Sequence, residues 1–203
     1  MKIILYTQRV EVVEAYQETR DCADRRVPEF LQACGFLPVP VPNRVELIED
    51  YLRELKPGGI FLTGGNNLVS YGGISSERDT VDALFIEQAL RQRLPVFGIC
   101  RGMQSILDYF QVPLQKVSGH VAIAHVIQYM GNMCKVNSYH TMAARVETVT
   151  APLKVIGSSA DDVVEAVLHV HAPIKGIMWH PERMHPFSQD DIKIVNEFFG
   201  AVG

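Results

Sequence analysis

The chain has little of what would tie it to a membrane, a nucleic acid or an oxidising compartment. Its four cysteines, at 22, 34, 100 and 134, fit neither a disulfide scaffold nor a paired metal knuckle, so reduced thiols and a cytoplasmic setting are expected. Positive charge is not in excess: 19 Lys and Arg against 23 Asp and Glu leave a net charge of −4, and no basic stripe offers itself to nucleic acid. No apolar run approaches the roughly 20 residues of a membrane span, and the one within residues 1–9 is too brief for a signal peptide. Repeats, linkers and low-complexity tracts are missing too. A length of 203 residues suits one compact unit, 1–203, and is too short for a synthetase carrying a fused acceptor domain.

What is present is an alternation of short apolar runs and amphipathic segments. Residues 3–6, 37–41, 60–62 and 96–99 read as buried parallel strands. Helices are expected over residues 28–33, closed by Gly35, over 45–55, and around Val81, Leu84, Phe85 and Ala89. This pattern predicts an α/β fold: a doubly wound, mostly parallel sheet with flanking helices and its ligand at the carboxyl ends of the strands. After Tyr109 the runs become shorter and β-like, at 121–129, 163–170 and 174–178, before a closing helix over 191–202. The polar stretch within residues 7–21 reads as a loop longer than a crossover needs, of the kind that builds pockets.

Chemistry enters with Gly98-Ile99-Cys100-Arg101-Gly102, directly after Leu94-Pro95-Val96-Phe97. Small residues two before and two after a cysteine describe a strand turning abruptly into a helix and displaying one side chain, the thiol counterpart of the G-x-S-x-G elbow. The helix N-terminus favours thiolate, which makes Cys100 a candidate nucleophile. Taken alone, the pentapeptide also fits a buried structural cysteine. Its companion is Trp179-His180-Pro181-Glu182. Pro181 disfavours helix at His180, and in an extended segment residues i and i+2 point the same way, so the Glu182 carboxylate orients the imidazole. Together these make a Cys-His-Glu triad.

Phe97-Gly98-Ile99-Cys100-Arg101-Gly102-Met103-Gln104 and Trp179-His180-Pro181-Glu182 are joined by Thr63-Gly64-Gly65-Asn66-Asn67, Glu77-Arg78-Asp79 and Val136-Asn137-Ser138-Tyr139-His140. Over nearly its whole length the chain thereby resembles the class I glutamine amidotransferase superfamily, with its flavodoxin-like fold, and within it the free-standing γ-glutamyl hydrolases. The resemblance implies cleavage of a γ-glutamyl carbon–nitrogen bond by Cys100, His180 and Glu182 through a γ-glutamyl thioester. It also implies oxyanion donors at the backbone N–H groups of Gly65 and Arg101, and a glutamyl pocket drawing on Gln104, Asn137, Ser138 and His140, with Arg78 at its rim. One departure stands out: Met142 occupies a place where the resembling hydrolases carry glutamine. The early polar stretch and residues 40–43 are similar to the γ-glutamyl-CDP-amidate hydrolases of surface-polysaccharide pathways. On that likeness Arg9, Arg20 and Arg101 would meet a diphosphate, although each also reads as an ordinary solvated arginine.

The implied partner is a small γ-glutamyl compound, open to being nucleotide-linked; neither nucleic acid nor membrane is expected, and a second copy of the chain remains open. No cofactor and no metal are required by the thiol chemistry. His169 and His171, and His185 shortly after His180, invite a metal site but lack a third residue at ligand spacing. His120 and His125 have no assigned role. Competing functions are a glutaminase subunit delivering ammonia to a separate synthase, a non-catalytic binding or regulatory module, and a metalloprotein.

Overall fold

Apolar runs of four residues are too short to hold a helix, and here they become neighbouring strands whose two faces are covered by the amphipathic segments between them. A computed structural model describes residues 1–200. Its first half runs β1 (Ile3–Tyr6), β2 (Arg9–Val13), β3 (Glu18–Cys22), α1 (Arg26–Ala33), β4 (Leu37–Pro40), α2 (Val45–Leu55), β5 (Gly59–Leu62), α3 (Ser76–Gln92), β6 (Val96–Ile99) and α4 (Arg101–Tyr109). The second half is β7 (Gln115–Lys116), β8 (Val121–Tyr129), β9 (Asn132–Tyr139), β10 (Met142–Ala143), β11 (Leu153–Ser159), β12 (Val164–His169), β13 (Ile174–Ile177) and α5 (Gln189–Gly200). The closing helix therefore starts earlier than expected, and its expected end at 202 lies outside the described residues.

Nine strands form one sheet in the order β4-β1-β5-β6-β13-β12-β11-β8-β9. From β4 to β13 every pairing is parallel; from β13 outward every pairing is antiparallel. Helices α3 and α4 pack Phe85, Ile86, Ile106 and Leu107 on one face. Helices α1 and α5 pack Phe30, Leu31, Val195 and Phe199 on the other, against Phe61 and Phe97 of the central strands. Each such side chain, fully buried, contributes about 1.5–3 kcal/mol.

Two expectations need correction. The polar stretch after β1 is not a loop: β2 and β3 pair as an antiparallel hairpin, because Val10, Val12 and Thr19 alternate with charged residues at the period of a strand. Strand β4 is parallel but not buried. It is the sheet edge, Leu37 is 46% exposed, and Pro38 and Pro40, which have no N–H to donate, suit an edge.

Register decides where the chemistry sits. Strands β6 and β13 are parallel neighbours, with Gly98 opposite Gly176 and Ile99 opposite Ile177. The residues that follow, Cys100 and His180, thus leave the same end of the sheet.

Candidate active site

Cys100 holds a left-handed φ of +47° with ψ −107° between β6 and α4, a conformation costly for a residue with a side chain and held here by its surroundings. Its N–H donates to the Ile177 carbonyl at 2.8 Å. The flanking glycines permit the sharp turn. A Cβ on Gly102 would fall within the backbone of Leu62, and one on Gly98 within that of Gly102, so helix α4 can start this close to the strands only with glycine at both places.

His180 lies outside the helical region, as a following proline favours, with φ −112° and ψ 88°. Its Nδ1 lies 2.6 Å from Glu182 Oε1, which leaves Nε2 for the neighbouring Cys100, whose thiol acts on the His180 pKa. Glu182 does not reach the imidazole along an extended segment, as the sequence suggests; residues Pro181–Arg183 form a single 3-10 turn that swings the carboxylate back under the ring. All three groups are buried. Burial works to lower the His180 pKa, but hydrogen bonds to Cys100 and Glu182, and their charges, raise it to about 9.

The loop after β5 closes the opposite side. Gly64 lies so close that a Cβ there would be 2.8 Å from His180 Cε1 and 3.7 Å from Cys100 Cβ. Gly65, at φ +83°, borders a cleft of about 390 Å³ together with Asn66, Asn67, Cys100, Arg101, Gln104, Tyr139, His140, Thr141, Met142, His180 and Arg183. Gln104 Nε2 donates to the Met142 carbonyl at 2.8 Å. Tyr139 stands edge-on to the His180 ring with the Arg183 guanidinium 4.3 Å over its own ring.

The structure thus brings Cys100, His180, Gly65, Arg101, Gln104 and His140 to one cleft, with Glu182 held on His180 and the His140 side chain fully buried beside Glu165 rather than offered to a ligand, and reassigns the other named residues. Arg78 is not at the rim. Fully buried, its guanidinium donates to the carbonyls of Thr63 (2.8 Å), Gly64 (2.9 Å) and Gly65 and to Asn66 Oδ1 (3.2 Å), holding the glycine loop from beneath. The Arg101 guanidinium is unavailable to a diphosphate, since it is buried between Asp79 and Asp82. Arg20 is paired with Glu18 on the exposed hairpin, away from the cleft. Asn137 is spent on the His180 backbone, and the buried Ser138 hydroxyl donates to the His120 carbonyl at 2.7 Å. Arg9 remains close: its side chain lies over Gly65, paired with Glu11.

Sequence reasoning misses the loop-holding role of Arg78 and the lining residues Asn67, Tyr139, Thr141 and Arg183, although Tyr139 and Arg183 sit inside or beside motifs already singled out. As for metals, His169 Nδ1 accepts the N–H groups of His171 and Ala172 at 3.0 and 2.8 Å, which uses the atom an H-x-H site would need. A separate group, His120, His140 and Glu165, does have ligand atoms close enough to share an ion.

Comparison with known proteins agrees with this architecture. The profile of the family "Glutamine amidotransferase class-I" matches residues 21–201. The gamma-glutamyl-CDP-amidate hydrolase of Campylobacter jejuni is 30% identical over 199 residues, 97% of this chain and 96% of that protein. The gamma-glutamyl-gamma-aminobutyrate hydrolase of Escherichia coli K12 is 30% identical over 190 residues, with 73% of each chain covered. Among solved structures, that of a putative GMP synthase component from Thermoplasma acidophilum superimposes with a TM-score of 0.73 at 20% identity, covering 98% of this chain and 94% of that one. With its mixed sheet, cysteine elbow and matched length, the chain belongs to the class I glutamine amidotransferase family.

Proposed function

We propose that the chain is a free-standing γ-glutamyl hydrolase with a cysteine nucleophile, acting as one domain. The observation that carries this reading is the buried arrangement in which Glu182 holds His180 at 2.6 Å while His180 and Cys100 line one cleft and both lie against Gly64. His180 takes the thiol proton, and the sulfur attacks the γ-glutamyl carbonyl. The oxyanion faces the backbone N–H groups of Gly65 and Arg101, each such donor being worth about 10²- to 10³-fold in rate. Collapse breaks the carbon–nitrogen bond as the imidazolium gives its proton to the departing nitrogen. Water, losing a proton to His180, then attacks the γ-glutamyl thioester. Glutamate leaves, and the thiol recovers its proton.

For the leaving group we favour a nucleotide-linked nitrogen, as in γ-glutamyl-CDP-amidate, over a simple γ-glutamyl amine. The similarity to the Campylobacter jejuni hydrolase runs the length of both chains, and Arg9 and Arg183 flank the His180–Glu182 pair, where forked donors suit phosphate oxygens. The four free cysteines suit a reducing cytoplasm. The test offers the purified chain glutamine, γ-glutamyl-γ-aminobutyrate and γ-glutamyl-CDP-amidate, and measures glutamate. The amidate is expected to turn over fastest, and Cys100→Ala to be inactive while folded. Turnover by Cys100→Ala, or no glutamate from any of the three, overturns the reading. A second reading, in which the chain is a glutaminase component of a larger enzyme, draws on 26% identity to the glutamine-hydrolyzing GMP synthase component of Pyrococcus furiosus; it predicts weak glutaminase activity alone and strong stimulation by a synthase.

A further inference from the structure

Glu165, on β12, has no exposed surface, and neither of its carboxylate oxygens has a hydrogen-bond partner. An uncompensated buried charge costs several kcal/mol, so something must answer it. Three imidazole nitrogens surround one of its oxygens: His120 Nδ1 lies 3.4 Å, His140 Nε2 3.5 Å and His125 Nε2 3.6 Å from Glu165 Oε1. Each of these nitrogens also lacks a hydrogen-bond partner.

The spacing itself is informative. Hydrogen bonds would have closed these contacts to about 2.7–3.2 Å. Ligands sharing a tetrahedral zinc ion at 2.0–2.2 Å instead keep about 3.3–3.6 Å between their donor atoms. The ligand atoms of His120, His140 and Glu165 all lie within 4.8 Å of one another. We propose that His120 Nδ1, His140 Nε2 and Glu165 Oε1 are the protein ligands of a structural zinc site, with the fourth position open to water.

The surroundings are built for an ion. Asp161 Oδ2 sits 3.2 Å from His120 Nε2, the carboxylate–histidine–metal arrangement that fixes ring orientation and raises ligand basicity. Its charge, added to that of Glu165, balances a divalent cation bound by neutral imidazoles. The ligand backbones are already in position: the His120 carbonyl accepts the His140 N–H at 3.0 Å and the Ser138 hydroxyl at 2.7 Å, and the Glu165 carbonyl accepts the Met178 N–H at 2.7 Å. His125, with 15% of its side chain exposed, leaves an entry path. The ion would tie the start of β8 and the end of β9 to β12, fixing the wall that carries Tyr139 into the cleft. This assignment does not depend on the γ-glutamyl reading, because metal content is measured without a substrate.

The test uses the full chain made without a polyhistidine tag in zinc-supplemented medium, dialysed, and assayed for metals. About one zinc per chain is expected, falling at least roughly tenfold in Glu165→Gln and His120→Ala and unchanged in His171→Ala. Should the ligand variants fail to fold, the wild-type chain stripped of metal and given cobalt(II) provides an independent reading: the intense visible absorption of four-coordinate cobalt, abolished by added zinc. Wild-type protein holding less than about a tenth of an equivalent after zinc or cobalt addition overturns the proposal. So does zinc retained by folded Glu165→Gln, or zinc lost in His171→Ala.

Discussion

The side-chain amide of Asn137 docks on the main chain of His180: Nδ2 donates to the His180 carbonyl at 2.8 Å, and Oδ1 accepts the His180 N–H at 2.8 Å. Asn137 thus does for His180 what a neighbouring strand would do. Asn137→Ala is predicted to lower kcat by about 10- to 100-fold with KM little changed, because misplacing a reacting group by about 1 Å costs on that scale. Steady-state kinetics on the preferred substrate check this. A raised KM with kcat intact would return Asn137 to substrate contact.

The pH dependence follows from His180. Its pKa is raised from the ordinary 6.5 to about 9, so the imidazolium proposed to protonate the departing nitrogen persists to that pH, and activity should fall on the alkaline side near it. Glu182→Gln removes a charge that raises the pKa and leaves the burial that lowers it. The alkaline limb of kcat/KM should therefore move to lower pH, with a rate loss smaller than that of Cys100→Ala. An alkaline limb that stays put in Glu182→Gln removes this coupling. Stability runs the same way: the folded pKa lies above the unfolded one, so the stabilisation from protonated His180 is complete below about 6.5 and fades as pH rises through about 9.

Arg78 holds three consecutive carbonyls of the glycine loop. Arg78→Met leaves those acceptors buried without donors and should cost about 10²-fold in kcat, the scale of a lost oxyanion donor, together with a lower Tm. Arg78→Lys restores charge but not the planar fork and should recover the rate only in part. Full activity in Arg78→Met would mean that the loop keeps its shape unaided.

Gly64→Ala tests the contact between the loop and the histidine. The new methyl would fall 2.8 Å from His180 Cε1, on a ring held by Glu182 and attached to a backbone held by Asn137. The ring has to move off the thiol, so labelling of Cys100 by a glutamine-analogue electrophile is predicted to slow by at least about 10-fold. Unchanged labelling would show that the loop yields instead.

Cys100, His180 and Glu182 are legible in the sequence because their geometry is written locally. Glycines at 98 and 102 allow one sharp turn, and a proline at 181 keeps one histidine out of the helical region. Even so, the 3-10 turn that delivers Glu182 is not visible from a rule about alternation. The hairpin is missed because the polarity of residues 9–22 outweighs their period of two, and the edge position of β4 because its apolar length outweighs Pro38 and Pro40. What no local pattern carries are pairings between distant segments: Arg78 under residues 63–65, Asn137 against His180, or His120 and Glu165 meeting only once the antiparallel strands have found their register.

Met142 stands where the family resemblance leads one to expect glutamine, yet the atom it offers to Gln104 is its carbonyl oxygen. Every amino acid brings that same oxygen. The anchoring of Gln104 is therefore indifferent to which side chain is encoded at 142, so a substitution there can alter the lining of the cleft without putting that anchor at risk.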